Sequence, residues 1–185
     1  MFLDDWSADG RYVLYRSPVN ELWAWALGSD AAPQRVLKLE NGYIDQSVLS
    51  QDSQWIAYNS TESGRAEVYV KRFPPTSSGD RWKISADGGM QPVWNRNGRE
   101  LFFLAADGTL MSVELTLTPG SPPIIGTPRA LFRSSVQAAD GVETYVVASN
   151  GDRFLMALPV AADSTVVAQV IVNWPALLTG DAPAQ

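Results

Sequence analysis

Oxygen-bearing side chains recur at one spacing along this chain. Asp4 and Asp5, Asp45 and Gln46, Gln91, and Glu143 stand four to seven residues ahead of Asp9, Asp52, Asn97 and Asn150 respectively, each of which lies in a polar turn. Carboxylate and amide oxygens gathered in this way are hard ligands. They can hold a cation, or draw a basic peptide segment towards a concentrated negative potential. No Asp-x-Asp-x-Asp calcium loop is present, so no metal site or cofactor is assigned. The plainer alternative is that these are solvated polar residues at the starts of strands. The turn residues Asp9, Asp52, Asn97 and Asn150 are read as turn formers, because a repeated position is structural before it is catalytic.

Two absences bound the chemistry further. The 185 residues contain neither His nor Cys. A Ser-His-Asp triad, a thiolate nucleophile and Cys-ligated zinc are therefore outside the reach of this chain. The formal net charge is −6, with Lys and Arg unclustered, which argues against nucleic acid as a partner. The longest apolar run, near residues 166–178, is broken by Gln169, Asn173 and Pro175 and is too short to insert in a bilayer. Asn59-Ser60-Thr61 fits a glycosylation triplet but is read as part of a hairpin. Trp23, Trp25, Trp55 and Trp94 could form a carbohydrate platform, yet their strand positions favour packing.

The elements that must position these residues emerge from an internal repeat. Ser7-Ala8-Asp9-Gly10-Arg11-Tyr12-Val13-Leu14-Tyr15 aligns with Ser50-Gln51-Asp52-Ser53-Gln54-Trp55-Ile56-Ala57-Tyr58. Asn95-Arg96-Asn97-Gly98-Arg99-Glu100-Leu101-Phe102-Phe103 is a third copy, and Ala148-Ser149-Asn150-Gly151-Asp152-Arg153-Phe154-Leu155-Met156 a weaker fourth. The anchors Asp9, Asp52, Asn97 and Asn150 are spaced by 43, 45 and 53 residues. A Pro/Gly-rich insert at 118–128, read as a loop, explains the last gap. A period of about 40–45 residues is that of a four-stranded propeller blade.

First strands are expected at 3–6, 47–49, 92–94 and 145–147, and second strands, apolar on both faces, at 12–15, 55–58, 101–104 and 154–156. Third strands are expected at 22–27, 68–70, 110–115 and 166–172, and a fourth at 35–39, 82–85 and 129–132. The fold class is all-β: a propeller of four-stranded antiparallel blades, four in this chain, near 1–44, 45–90, 91–142 and 143–185. One helical turn at most is expected, at 174–178. The pattern starts at once after Met1, so the chain is expected to be a piece of a longer protein.

The turn motifs resemble those of the TolB-like, WD-repeat-like β-propellers of bacteria, whose blades carry a Ser-Pro-Asp-Gly-Arg-type turn followed by an apolar strand. Ser7-Ala8-Asp9-Gly10-Arg11 lacks only the Pro, and Ser50-Gln51-Asp52-Ser53 loses the Gly. Glu67-Val68-Tyr69-Val70-Lys71-Arg72-Phe73-Pro74, Trp82-Lys83-Ile84-Ser85-Ala86-Asp87-Gly88-Gly89 and Val170-Ile171-Val172-Asn173-Trp174 resemble the C-terminal propellers of bacterial kinase-like or regulator-like proteins. Such propellers have six to eight blades. The resemblance implies a non-enzymatic binding or scaffold module of a signalling or sensory protein, with a protein or peptide ligand at the channel mouth. The alternative is a propeller that accompanies or gates a hydrolase domain encoded elsewhere in its parent, and a third class is a metal-dependent lactonase-like propeller. Four blades that do not close expose two apolar faces, so a homodimer closing an eight-bladed ring is expected.

Overall fold

A computed structural model describes residues 1–75, 80–136 and 142–158, and the backbone strand 168–172. Each repeat is built on one hairpin turn, and its hydrogen bonds recur at the same places. Gly10, Ser53, Gly98 and Gly151 donate their N–H to the carbonyls of Ser7, Ser50, Asn95 and Ala148. Ser7, Ser50, Asn95 and Ala148 in turn donate to the carbonyls of Tyr12, Trp55, Glu100 and Arg153. Asp9 accepts from Ser7 Oγ and from the Arg11 N–H; Asp52 does the same with Ser50 Oγ and the Gln54 N–H. The last turn residue is left-handed in all four, with φ of 74, 55, 70 and 76°. Glycine reaches that region freely, and Ser53 holds it at a cost.

The strands that leave these turns form four antiparallel sheets, and no helix occurs among the described residues. Sheet I is β1 (Phe2–Trp6), β2 (Tyr12–Ser17), β3 (Glu21–Ala26) and β4 (Gln34–Lys38), paired in that order. Sheet II repeats it with β5 (Ile44–Leu49), β6 (Trp55–Ser60), β7 (Glu67–Arg72) and β8 (Arg81–Lys83). Sheet III contains β9 (Met90–Trp94), β10 (Glu100–Leu104), β11 (Thr109–Thr116), β12 (Ile124–Ile125) and β13 (Arg129–Arg133). Sheet IV contains β14 (Tyr145–Val147), β15 (Arg153–Ala157) and β16 (Ala168–Val172).

The insert read as a loop thus carries a short strand. Ile124 and Ile125 pair with Thr116 and Leu115, because β11 runs on past β13 and leaves an open edge. The turn expected at 174–178 lies outside the described residues.

The side-chain alternation of the second strands welds the sheets into a row. Positions four and six after each anchor face the preceding sheet, and positions three, five and seven face the next. Tyr12 and Leu14 of sheet I meet Ile56 and Tyr58 of sheet II. Trp55 and Ala57 of sheet II meet Leu101 and Phe103 of sheet III. Phe102 and Leu104 of sheet III meet Phe154 and Met156 of sheet IV, with Phe102 and Phe154 edge to face at 5.1 Å. β6 is buried along its whole length because it is covered on both faces. At about 1.5–3 kcal/mol for each fully buried large apolar side chain, these three cores dominate the stability. Among the described residues the row is open: nothing covers the Val13–Tyr15 face of sheet I or the Leu155 face of sheet IV.

Candidate site at the first strands

β1 abuts β5 and β5 abuts β9, and β14 reaches β9 through the Tyr145 hydroxyl. Polar bonds fix the contacts. The Leu49 N–H donates to Asp5 at 2.7 Å, Trp94 Nε1 to the Val48 carbonyl at 3.3 Å, and the Tyr145 hydroxyl to the Gln91 carbonyl at 2.8 Å. Each of the first three strands breaks register near its start. The break falls at Asp4 in β1, at Asp45 and Gln46 in β5, and at Gln91 and Pro92 in β9. A bulge re-aims the side chains it carries. Five of the six residues singled out from sequence therefore sit on, or directly beside, one recurring irregularity; Glu143 precedes β14, whose pairing is regular.

Their chemistry then diverges. Arg16 binds Asp4 through Nε at 2.7 Å and Asp45 through a terminal nitrogen at 3.1 Å, and also donates to the Ile44 carbonyl. The Asp4 and Asp45 side chains are almost fully buried. Burial pushes the Asp4 carboxyl up, against the pull of Ser47 Oγ at 2.6 Å and of Arg16. These two carboxylates are consumed by an internal ion pair. Gln91 is buried at φ 55°, and its amide is spent on the fourth sheet. Nε2 donates to the Val142 carbonyl, and Oε1 accepts from the Thr144 N–H and hydroxyl.

Three residues are left outside these ion pairs and amide bonds. Glu143 is exposed. Gln46 is half-buried and its Oε1 has no hydrogen-bond partner among the described residues. Asp5 is half-buried and has its carboxyl pushed up to about 6. Burial is the main cause, aided by the charges of Glu143 and Asp4, while the N–H groups of Leu49 and Trp6 oppose it. A groove of about 190 Å³ opens here, lined by Gln46, Val48, Gln91, Pro92, Val93 and Glu143. Other hollows, such as one of about 660 Å³ beside Asp52, Arg96 and Arg99, are open depressions between turns. Among the described residues no cluster of three or more acidic groups has a metal-holding arrangement.

Sequence reasoning passed over Arg16 and Ser47, which organise the site together with Thr144, a residue that the spacing before the fourth anchor also picks out. The one available signal was a cation ending the apolar strand after Tyr15. Asn59 of the glycosylation triplet is fully buried and so is out of reach in the folded chain. Trp55 and Trp94 are packed inside, whereas Trp25 is exposed.

No protein-family model matches this chain, nor does any curated protein. Solved structures do. TolB from Acinetobacter baumannii superimposes with a TM-score of 0.63 at 14% identity, over 91% of this chain and 39% of that one. The fold is TolB-like. The tricorn protease matches with a TM-score of 0.57 at 11% identity, over 92% of this chain and 15% of that one. A putative 6-phosphogluconolactonase from Bacteroides uniformis matches at 0.53 and 14%, over 92% and 55%. This chain spans less than half of the TolB structure. At these identities the likeness concerns fold alone, and the four sheets correspond to propeller blades.

Proposed function

We propose that this chain is a non-enzymatic propeller segment of four blades that binds a protein or peptide, with the Glu143 groove taking one cationic side chain of the ligand. The observation that carries this reading is the groove itself. Its volume of about 190 Å³ is below the about 300–1,000 Å³ of small-molecule pockets. It suits a single side chain, with Val48, Pro92 and Val93 along the stem and Glu143 and Gln46 Oε1 at the charged end. A Lys or Arg side chain has that build, an apolar stem under a charged head. Asp5 adds negative charge near the mouth once the pH exceeds about 6.

The test is an NMR titration with Nα-acetyl-lysine amide at millimolar concentration. Shifts confined to residues 46–48, 91–93 and 143, lost in Glu143→Gln and absent for Nα-acetyl-glutamate amide, support the reading. No shifts, or shifts indifferent to Glu143→Gln, overturn it. A second reading draws on the likeness to a stretch of the tricorn protease: the segment would accompany a hydrolase domain encoded elsewhere in its parent. Peptidase activity that appears only when such a domain is joined to this chain would favour it. Lactonase turnover by the pure chain would contradict both.

A further inference from the structure

The uncovered face of the first blade is an inter-blade surface by every register it shares with the others. Val13 and Tyr15 lie four and six residues after Asp9, as Ile56 and Tyr58 do after Asp52 and Leu101 and Phe103 after Asn97. Those later pairs are buried against a preceding blade. The likeness extends to the cross-strand partner. Tyr58 stacks on Tyr69 at 5.5 Å, and Tyr15 stacks on Trp23 at 6.5 Å in the same pairing of second and third strands.

The first strand gives a sharper correspondence. Trp94 stands three residues before its anchor, is 8% exposed, and donates Nε1–H to the carbonyl of Val48, four residues before the anchor of the preceding blade. Trp6 holds the same place in the first blade and is 65% exposed. Among the described residues its indole N–H has no partner equivalent to the Val48 carbonyl that Trp94 uses. Trp25 on the same face is 46% exposed. So large an aromatic surface is rarely left bare on a soluble chain.

The complementary surface is at the other end of the row. Leu155 and Val146 are cross-strand neighbours on the uncovered face of the fourth blade and are 41% and 49% exposed. Val146 lies four residues before Asn150, the position of Val48 relative to Asp52.

We infer that a second copy of this chain occupies the first-blade face, head to tail, with Trp6 donating to the main-chain carbonyl of the partner's Val146. Two such contacts, related by a two-fold axis, join four blades to four. The chain carries both halves of the repeated interface, which is what a closing pair of copies requires. Trp6 and Trp25, 65% and 46% exposed, would meet Val146 and Leu155, 49% and 41% exposed, and the two-fold pair makes this contact twice.

Size exclusion with light scattering at tens of micromolar is the first measurement, and twice the mass of one chain is expected. Tyr15→Glu and Leu155→Glu alter opposite faces, both uncovered among the described residues, so each variant should stay folded by circular dichroism and elute as a monomer. Mixing the two variants should restore a dimer, because one of the two contacts then pairs unaltered faces. Trp6→Phe, which keeps the ring and removes the N–H, should raise the dissociation constant of the dimer about tenfold. A wild-type monomer overturns the inference. So does a dimer that survives Leu155→Glu, which would mean that like faces pair, and so does a mixture that stays monomeric.

Discussion

Replacing Asp5 by Asn should remove a pH dependence of stability whose sign is opposite to ordinary acid denaturation. The Asp5 carboxyl is raised from 3.8 to about 6 in the folded chain, chiefly by burial. The native state therefore holds this proton more tightly than the unfolded state does. The stability it contributes is fully present below about pH 4 and is lost as the pH rises through about 6. A shift of about 2 pH units is worth about 3 kcal/mol at 1.36 kcal/mol per unit. Two groups at least act in the other direction. Glu67 is held below its usual range because bonds from Lys83, Ser85 and Arg65 outweigh its burial, and Asp107 is lowered by Thr109. The wild-type curve alone is thus a mixture, and the difference between wild type and Asp5→Asn isolates Asp5. Asn keeps one acceptor for the N–H groups of Leu49 and Trp6, and the constant cost of losing the other cancels in the pH dependence. Urea unfolding at one fixed protein concentration, from pH 4 to 8, gives both curves. The wild type should lose about 2–3 kcal/mol relative to the variant across pH 4 to 7, with half of the loss reached near pH 5 and little further change above about 6. A flat difference would refute a buried, raised Asp5, and the pH-dependent mouth charge would go with it.

Other perturbations follow from the same geometry. Arg16→Leu leaves Asp4 and Asp45 buried without a cation and should destabilise by about 3–5 kcal/mol in urea unfolding, with partial rescue by adding Asp4→Asn and Asp45→Asn. Ser53→Gly restores the residue found at positions 10, 98 and 151 where φ is 55°, and should raise the melting temperature by the equivalent of about 0.5–1 kcal/mol. Phe102→Ala empties the core between the third and fourth blades, at a cost of about 3–5 kcal/mol by chemical denaturation. Gly89→Ala brings a Cβ within 2.9 Å of both the Phe103 ring and Ser85 Cβ, and should destabilise by about 1–3 kcal/mol.

The strands and faces were legible in the sequence because they follow from local rules repeated four times. An Asx residue with Gly after it sets the hairpin, and strict alternation after it sets which neighbour each side chain meets. Even Ser53, which departs from the glycine pattern, holds the left-handed turn because Asp52 and Ser50 make the same bonds as Asp9 and Ser7. The β12 strand was not legible, since two isoleucines in a Pro/Gly-rich stretch give no period. Nor were the pairings of the mouth residues. Asp4, Asp45 and Arg16 are brought together across 12 and 29 residues by a strand pairing, a blade contact and two bulges. A bulge leaves no pattern in a single sequence.

The same repeat explains why one carboxylate before the first strands stays exposed while its counterpart does not. Asp45 and Glu143 both stand seven residues before their anchors. What they meet is set by the residue seven after the anchor of the preceding blade, where the first and third blades carry Arg16 and Leu104. Arg16 reaches Asp45 and quenches it. Leu104 packs into the core between the third and fourth blades, offers no charge, and leaves Glu143 exposed. The turn and the blade faces cannot vary without losing the hairpin or the packing. The starts of the first strands are held instead by polar bonds that differ from blade to blade. On the function we propose, the ligand is met where the repeat varies, and in this chain the variation that leaves a charge available is the pairing of Leu104 with Glu143.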